Sequence, residues 1–190
     1  MAYKLVDNIA ANKPELGGVV AYITSAHINV PVVANRPYIL GSAVTAIHPQ
    51  KPAEPTKVFV GKKETILGVM ALGSAQVRHY DHLVEKGFAD TCNNMGCGGV
   101  FYAALDLQHY DATLMQTLLG TGAGKLYVDD NGVFSFSDQD NGNTEVTNAF
   151  VISIDSQVIV PAMNKQVNAG GQNYTFNYPK GIGAIAIKIN

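Results

Sequence analysis

Apolar residues in this chain arrive in short runs, and nearly every run is closed within a few positions by Gly, Pro, Asn or Asp. Gly18 to Ser25, Tyr38 to Ala46, Thr65 to Ala71, Gly99 to Leu105 and Ile182 to Ile189 are all of strand length. They are rich in Val, Ile and Thr, whose branched side chains pack well on a pleated surface. No window approaches the roughly 18 apolar residues that a membrane-crossing helix needs. Punctuation of this kind predicts many short strands joined by tight turns.

The turn chemistry agrees. Lys125 to Val128 and Val133 to Ser137 flank Asp129-Asp130-Asn131-Gly132, and Asn-Gly between two such runs predicts a hairpin because both residues tolerate positive φ. Asn148 to Ile154 and Gln157 to Val160 flank Asp155-Ser156, which predicts a second hairpin, and Lys57 to Val60 with Thr65 to Ala71 predict a third across Gly61 to Glu64. Three prolines between His48 and Pro55 exclude helix and central strand, so residues 48–56 are expected to be an exposed loop. Pro161 to Gln172 reads as a polar loop of small residues.

Two segments break the β pattern. Val77, Tyr80, Leu83 and Val84 recur at helical spacing between Ser74 and Gly87, with Gly87 as the stop. Asp111 can cap a second helix whose stripe is Leu114, Met115, Leu118 and Leu119, ended by Gly120. The expected fold is therefore mainly β, a sandwich or barrel of short antiparallel strands, with two short helices at 74–87 and 111–120. Its 190 residues suit a single domain, in which residues 74–120 either pack into the main body or project as a helical insertion.

Charge is scarce, at 15% Asp, Glu, Lys and Arg against roughly 25% in ordinary soluble domains. Neutral polar residues take its place, asparagine foremost. Disorder is excluded, since it needs low hydrophobicity with high net charge, whereas this chain is 47% hydrophobic with a net charge of −2. Without a basic excess the chain is not expected to be a general nucleic-acid binder. Residues 1–100 carry nine Lys and Arg against seven Asp and Glu, and residues 101–190 four against eight, the acids gathering in the turns at 129–130 and 138–145. The first residues lack the apolar stretch of a secretion signal, so synthesis and retention in a cytosol is expected, with Cys92 and Cys97 as reduced thiols.

Candidate chemistry is sparse. His79, His82, Cys92 and Cys97 are zinc-ligand types within nineteen residues, but H-x2-H-x9-C-x4-C is not the spacing of a structural zinc knuckle. Cys97 before Gly98-Gly99 could be a nucleophile only if a base lay near it, and a buried packing role for both thiols is the simpler reading. Leu119 to Lys125 resembles a phosphate loop, yet Leu119 and Leu126 stand where glycine and a hydroxyl are needed, and the run follows a helix instead of opening one. Asp138 to Glu145 fails as a calcium loop because Ser137 and Gln139 occupy the first and third positions. No catalytic, cofactor-binding or metal site is assigned, and a non-enzymatic role is expected. Tyr174, Phe176 and Tyr178 alternate on one strand face, either as an exposed row for a sugar or partner or as part of a core.

Three segments carry a resemblance: Gly124 to Phe136, Gly142 to Val151, and the closing Gly183 to Asn190. They resemble tailed-bacteriophage capsid decoration or head-fiber proteins, in which short strands joined by Asn-Gly or Thr-Gly turns and a terminal valine/isoleucine strand recur, mainly over residues 122–190. The resemblance implies a virion structural protein that decorates or builds a capsid as a homo-oligomer, a trimer among its forms. Its partners would be its own copies and the major capsid or tail protein, with no direct contact to nucleic acid or membrane. The alternatives are a tail-tube or tail-adaptor subunit, a carbohydrate- or receptor-binding module using Tyr174, Phe176 and Tyr178, and a metal-binding protein built on His79, His82, Cys92 and Cys97.

Overall fold

The computed structural model describes residues 16–17, 19–22, 28–33, 37–47, 57–60, 64–71, 83–84, 89–94, 99–111, 113, 125–137 and 142–189. The strands among them are β1 (Val19–Tyr22), β2 (Ile28–Val33), β3 (Tyr38–Ile39), β4 (Ala43–Ile47), β5 (Lys57–Val60), β6 (Gly68–Ala71), β7 (Leu83–Val84) and β8 (Ala89–Asn94). They continue with β9 (Gly99–Asp106), β10 (Leu126–Val128), β11 (Phe134–Ser135), β12 (Thr144–Val146), β13 (Ala149–Val160), β14 (Met163–Ala169), β15 (Gln172–Tyr178) and β16 (Ile182–Ile189). The protein is mainly β, as the punctuation of its apolar runs predicts.

A seven-stranded sheet runs β12-β10-β11-β9-β16-β13, with β1 paired to the Gly99–Phe101 stretch of β9. A five-stranded antiparallel sheet runs β2-β8-β6-β4-β5, and β3 with β7 and β14 with β15 form two-stranded sheets. The centre of the larger sheet is β9 against β16, paired residue for residue from Gly99↔Ile189 to Asp106↔Ile182. Val100 to Leu105 and Ile182 to Ile187 are buried at every successive position, so both faces of this pair are covered. Their side chains belong to one core cluster with Tyr38, Val44, Val69 and Met70 from the smaller sheets and Phe176 from β15.

Gly41, between β3 and β4, joins the two larger sheets through its backbone. Its N–H donates to the Met70 carbonyl in β6 at 2.9 Å, and its own carbonyl accepts the Ala104 N–H of β9 at 3.0 Å. Its φ is 82°, and a Cβ there would sit 2.8 Å from the Ala104 nitrogen. Only glycine fits. A second tie is made by Asn148, whose Oδ1 accepts the Ile66 N–H at 2.9 Å while its Nδ2 donates to the Ile66 carbonyl at 2.8 Å. The amide thus stands in for a strand neighbour, and Thr147 N–H to the Glu64 carbonyl at 2.7 Å reinforces it.

The hairpin expected across Asp129 to Gly132 is present as β10 and β11, with Val128 opposite Phe134. Several other expectations are corrected. The helix expected at 74–87 is not borne out, and most of the one expected at 111–120 lies outside the described residues, Thr113 being described and helical. Within the first of them, Leu83 and Val84 are strand, paired with Ile39 and Tyr38, so tertiary pairing overrides the helical spacing. In the second, Asp111 Oδ1 accepts the Thr113 N–H at 2.9 Å in the manner of a cap, and 114–120 lie outside the described residues. β5 and β6 do not pair, because β4 lies between them. No turn interrupts 155–156: β13 runs through, absorbing the extra residues as irregularities in its register with β16. The segment expected as a loop at Pro161 to Gln172 is strand over Met163–Ala169, β14 turning through Gly170-Gly171 into β15. The proline loop at 48–56 lies outside the described residues.

Candidate functional site

The turn between β10 and β11 meets the β14–β15 hairpin around a polar cavity of about 470 Å³, whose walls include Asp106, Asp129, Asn131, Asn143, Thr175 and Tyr178. Local chemistry builds the turn. Asp129 Oδ1 accepts the N–H groups of Asn131 at 2.9 Å and Val133 at 2.8 Å, the short-range bonding that makes Asp a turn former. The Asp129 N–H and carbonyl close the same turn on Val133 and Gly132.

The remaining carboxylate oxygen points away from the turn. Tyr178 Oη donates to Asp129 Oδ2 at 2.7 Å, and Asn131 Nδ2 lies 3.0 Å from the same phenol oxygen and 2.9 Å from the Thr175 carbonyl. One turn thereby holds the last strand of the hairpin by three contacts. Burial pushes the Asp129 carboxyl up to about 6, with the Asp106 charge adding to it, and the three hydrogen bonds it accepts only partly offset this. Burial, followed by the charge of Asp129, raises the Tyr178 phenol well above its ordinary value, so the phenol keeps its proton. The pair can therefore exchange one proton with solvent near neutral pH, at the carboxyl.

The aromatic row divides. Phe176 and Tyr178 are buried and Tyr174 is half-buried, so the row belongs to the core and offers no exposed platform. The outward face of the hairpin presents Asn173, Thr175 and Asn177 instead. Cys92 lies on β8 opposite Val30 and Met70, while Cys97, His79 and His82 lie outside the described residues. Among the described residues no group of three or more His, Cys, Asp or Glu side chains is placed to hold a metal ion. Lys125, the last residue of the run that fails as a phosphate loop, forms an exposed ion pair with Glu145 at 2.9 Å.

A different surface was not legible in the sequence. Phe150, Ile152 and Val158 on β13 are 53%, 43% and 57% exposed, and β13 is the terminal strand of the seven-stranded sheet. β16, by contrast, lies inside the sheet, between β9 and β13. Compared with protein-family models and with curated protein sequences, the chain matches none.

Proposed function

We propose that this chain is a non-enzymatic structural subunit of a tailed-phage particle, acting as a homo-oligomer on the capsid, with its two larger sheets packed as a sandwich. The observation that carries the reading is the row Phe150, Ile152 and Val158 on the outer strand of the larger sheet. Three large apolar side chains on one terminal strand are what a covered surface needs. The occupant favoured is a second copy of the chain. β13 has a single charged residue, Asp155, in twelve positions, so bringing like strands together meets little repulsion. Sparse charge over the rest of the chain acts in the same direction. The sandwich is supported by the shared core cluster and by the backbone bridge at Gly41.

Light scattering on the size-fractionated protein, with co-sedimentation against phage particles, tests the reading. A homo-oligomer that binds particles is expected, and joint replacement Phe150→Ser and Val158→Ser should shift it to monomer with unchanged circular dichroism. A monomer without affinity for particles would sink the proposal. Closed rings that stack end to end would transfer it to a tail tube.

A further inference from the structure

Among the described residues the β14–β15 hairpin is bonded strand to strand only within itself, and an isolated two-stranded hairpin is marginal in water. Phe176, Tyr178 and Val167 dock it on the core, and the turn at Asp129 to Asn131 grips it through Tyr178 and Thr175. We infer that the Asp129–Tyr178 hydrogen bond is a proton-operated latch on this hairpin, running from phenol to carboxylate when Asp129 is ionised and from carboxyl to phenol oxygen when it is protonated.

The geometry dictates where the proton goes. Oδ1 already accepts two backbone N–H groups, so a proton placed there would face donors. Oδ2 has the phenol oxygen at 2.7 Å, and that oxygen has two lone pairs, one of them directed to Asn131 Nδ2. A proton on Oδ2 completes the second. The phenol hydrogen then turns away from the carboxyl. The charged and titratable groups facing Asp129 are Asp106 at the end of β9 and Tyr178 on β15, and Asp130 shares the cavity wall. No Lys, Arg or His lines it among the described residues.

The sign follows from these neighbours. Without a cation the buried carboxylate is held at a cost, and taking up a proton removes that cost. The folded-state value, about 6, lies above the ordinary 3.8, so the folded chain holds a proton that the unfolded chain has released between those values. The added stability is fully present below about 3.8 and is lost as pH rises through about 6. Acidification tightens the latch, the reverse of what a salt bridge does.

Hydrogen exchange of the β14–β15 amides in the full chain, corrected for intrinsic rates, at pH 5 and pH 7.5 is the test. Opening of the hairpin should be roughly tenfold rarer at the lower pH, the equivalent of one pK unit. Asp129→Asn should hold it near the low-pH level at both values. Equal protection of the wild type at both pH values, or an undiminished difference in Asp129→Asn, would overturn the latch. Carbon-13 titration of the wild-type Asp129 carboxyl adds a readout that needs no variant: a midpoint near 6 is expected and one near 4 refutes it. Tyr178→Phe should raise that midpoint, since it removes a donor that favours the carboxylate, and an unmoved midpoint counts against the pairing.

Discussion

At Gly41 a single missing side chain lets two sheets share the backbone of one residue. Alanine there would meet both the left-handed backbone at φ 82° and the Ala104 nitrogen, which belongs to a strand that cannot withdraw without breaking its ladder. Gly41→Ala should cost about 2–4 kcal/mol in urea unfolding, the sum of a strained φ and a displaced strand. The pair Asp129 and Tyr178 shows where residue-level reading of the sequence reaches its limit. Asp129 is legible as a turn residue because its partners Asn131 and Val133 are close by in the chain. Its second role needs Tyr178, 49 positions away, and no local pattern announces a partner at that distance.

Among the elements, the β14–β15 hairpin teaches most. Only Val167 is buried along β14, so the alternation that marks a half-buried strand is too faint to read, and polar small residues pass for a loop. A signal was present in Gly170-Gly171, a two-residue turn whose φ values of 60° and 81° match a primed turn. A side chain at Gly170 would meet open space. Gly170→Asn should therefore be accepted and should raise stability by about 0.5 kcal/mol in a thermal melt, by restricting the unfolded chain. The expected helix at 74–87 fails for the opposite reason: its spacing is clear, but Leu83 and Val84 find strand partners in β3 that no periodicity encodes. β10, β11, β9 and β16 were legible because their turns and apolar runs are local properties. Which strands are neighbours was not, as the separation of β5 from β6 by β4 makes plain.

On the scale of the molecule, the two larger sheets are bound by backbone and amide contacts as well as by a shared core. Asn148 satisfies both polar groups of Ile66, and its removal would orphan them. Asn148→Ala should lower stability by about 1–3 kcal/mol. Because the core is continuous, denaturation should remain a single transition that shifts as a whole. Separate transitions for the two sheets would show that they fold as independent bodies. The abundance of asparagine acquires a physical sense in this setting, since Asn131 and Asn148 each join segments distant in the chain.

The position of β16 bears on the order in which this molecule can be made. β9 is synthesised some eighty residues ahead of the strand that fills the place beside it, and long-range pairing of that kind is slow to find. β13 also precedes its partner strand, β16. A nascent chain halted before Ile182 would carry two apolar strands with their inner edges bare, each a template for the other or for a neighbouring chain. β16, made after both, is the strand that turns two loose margins into a sheet.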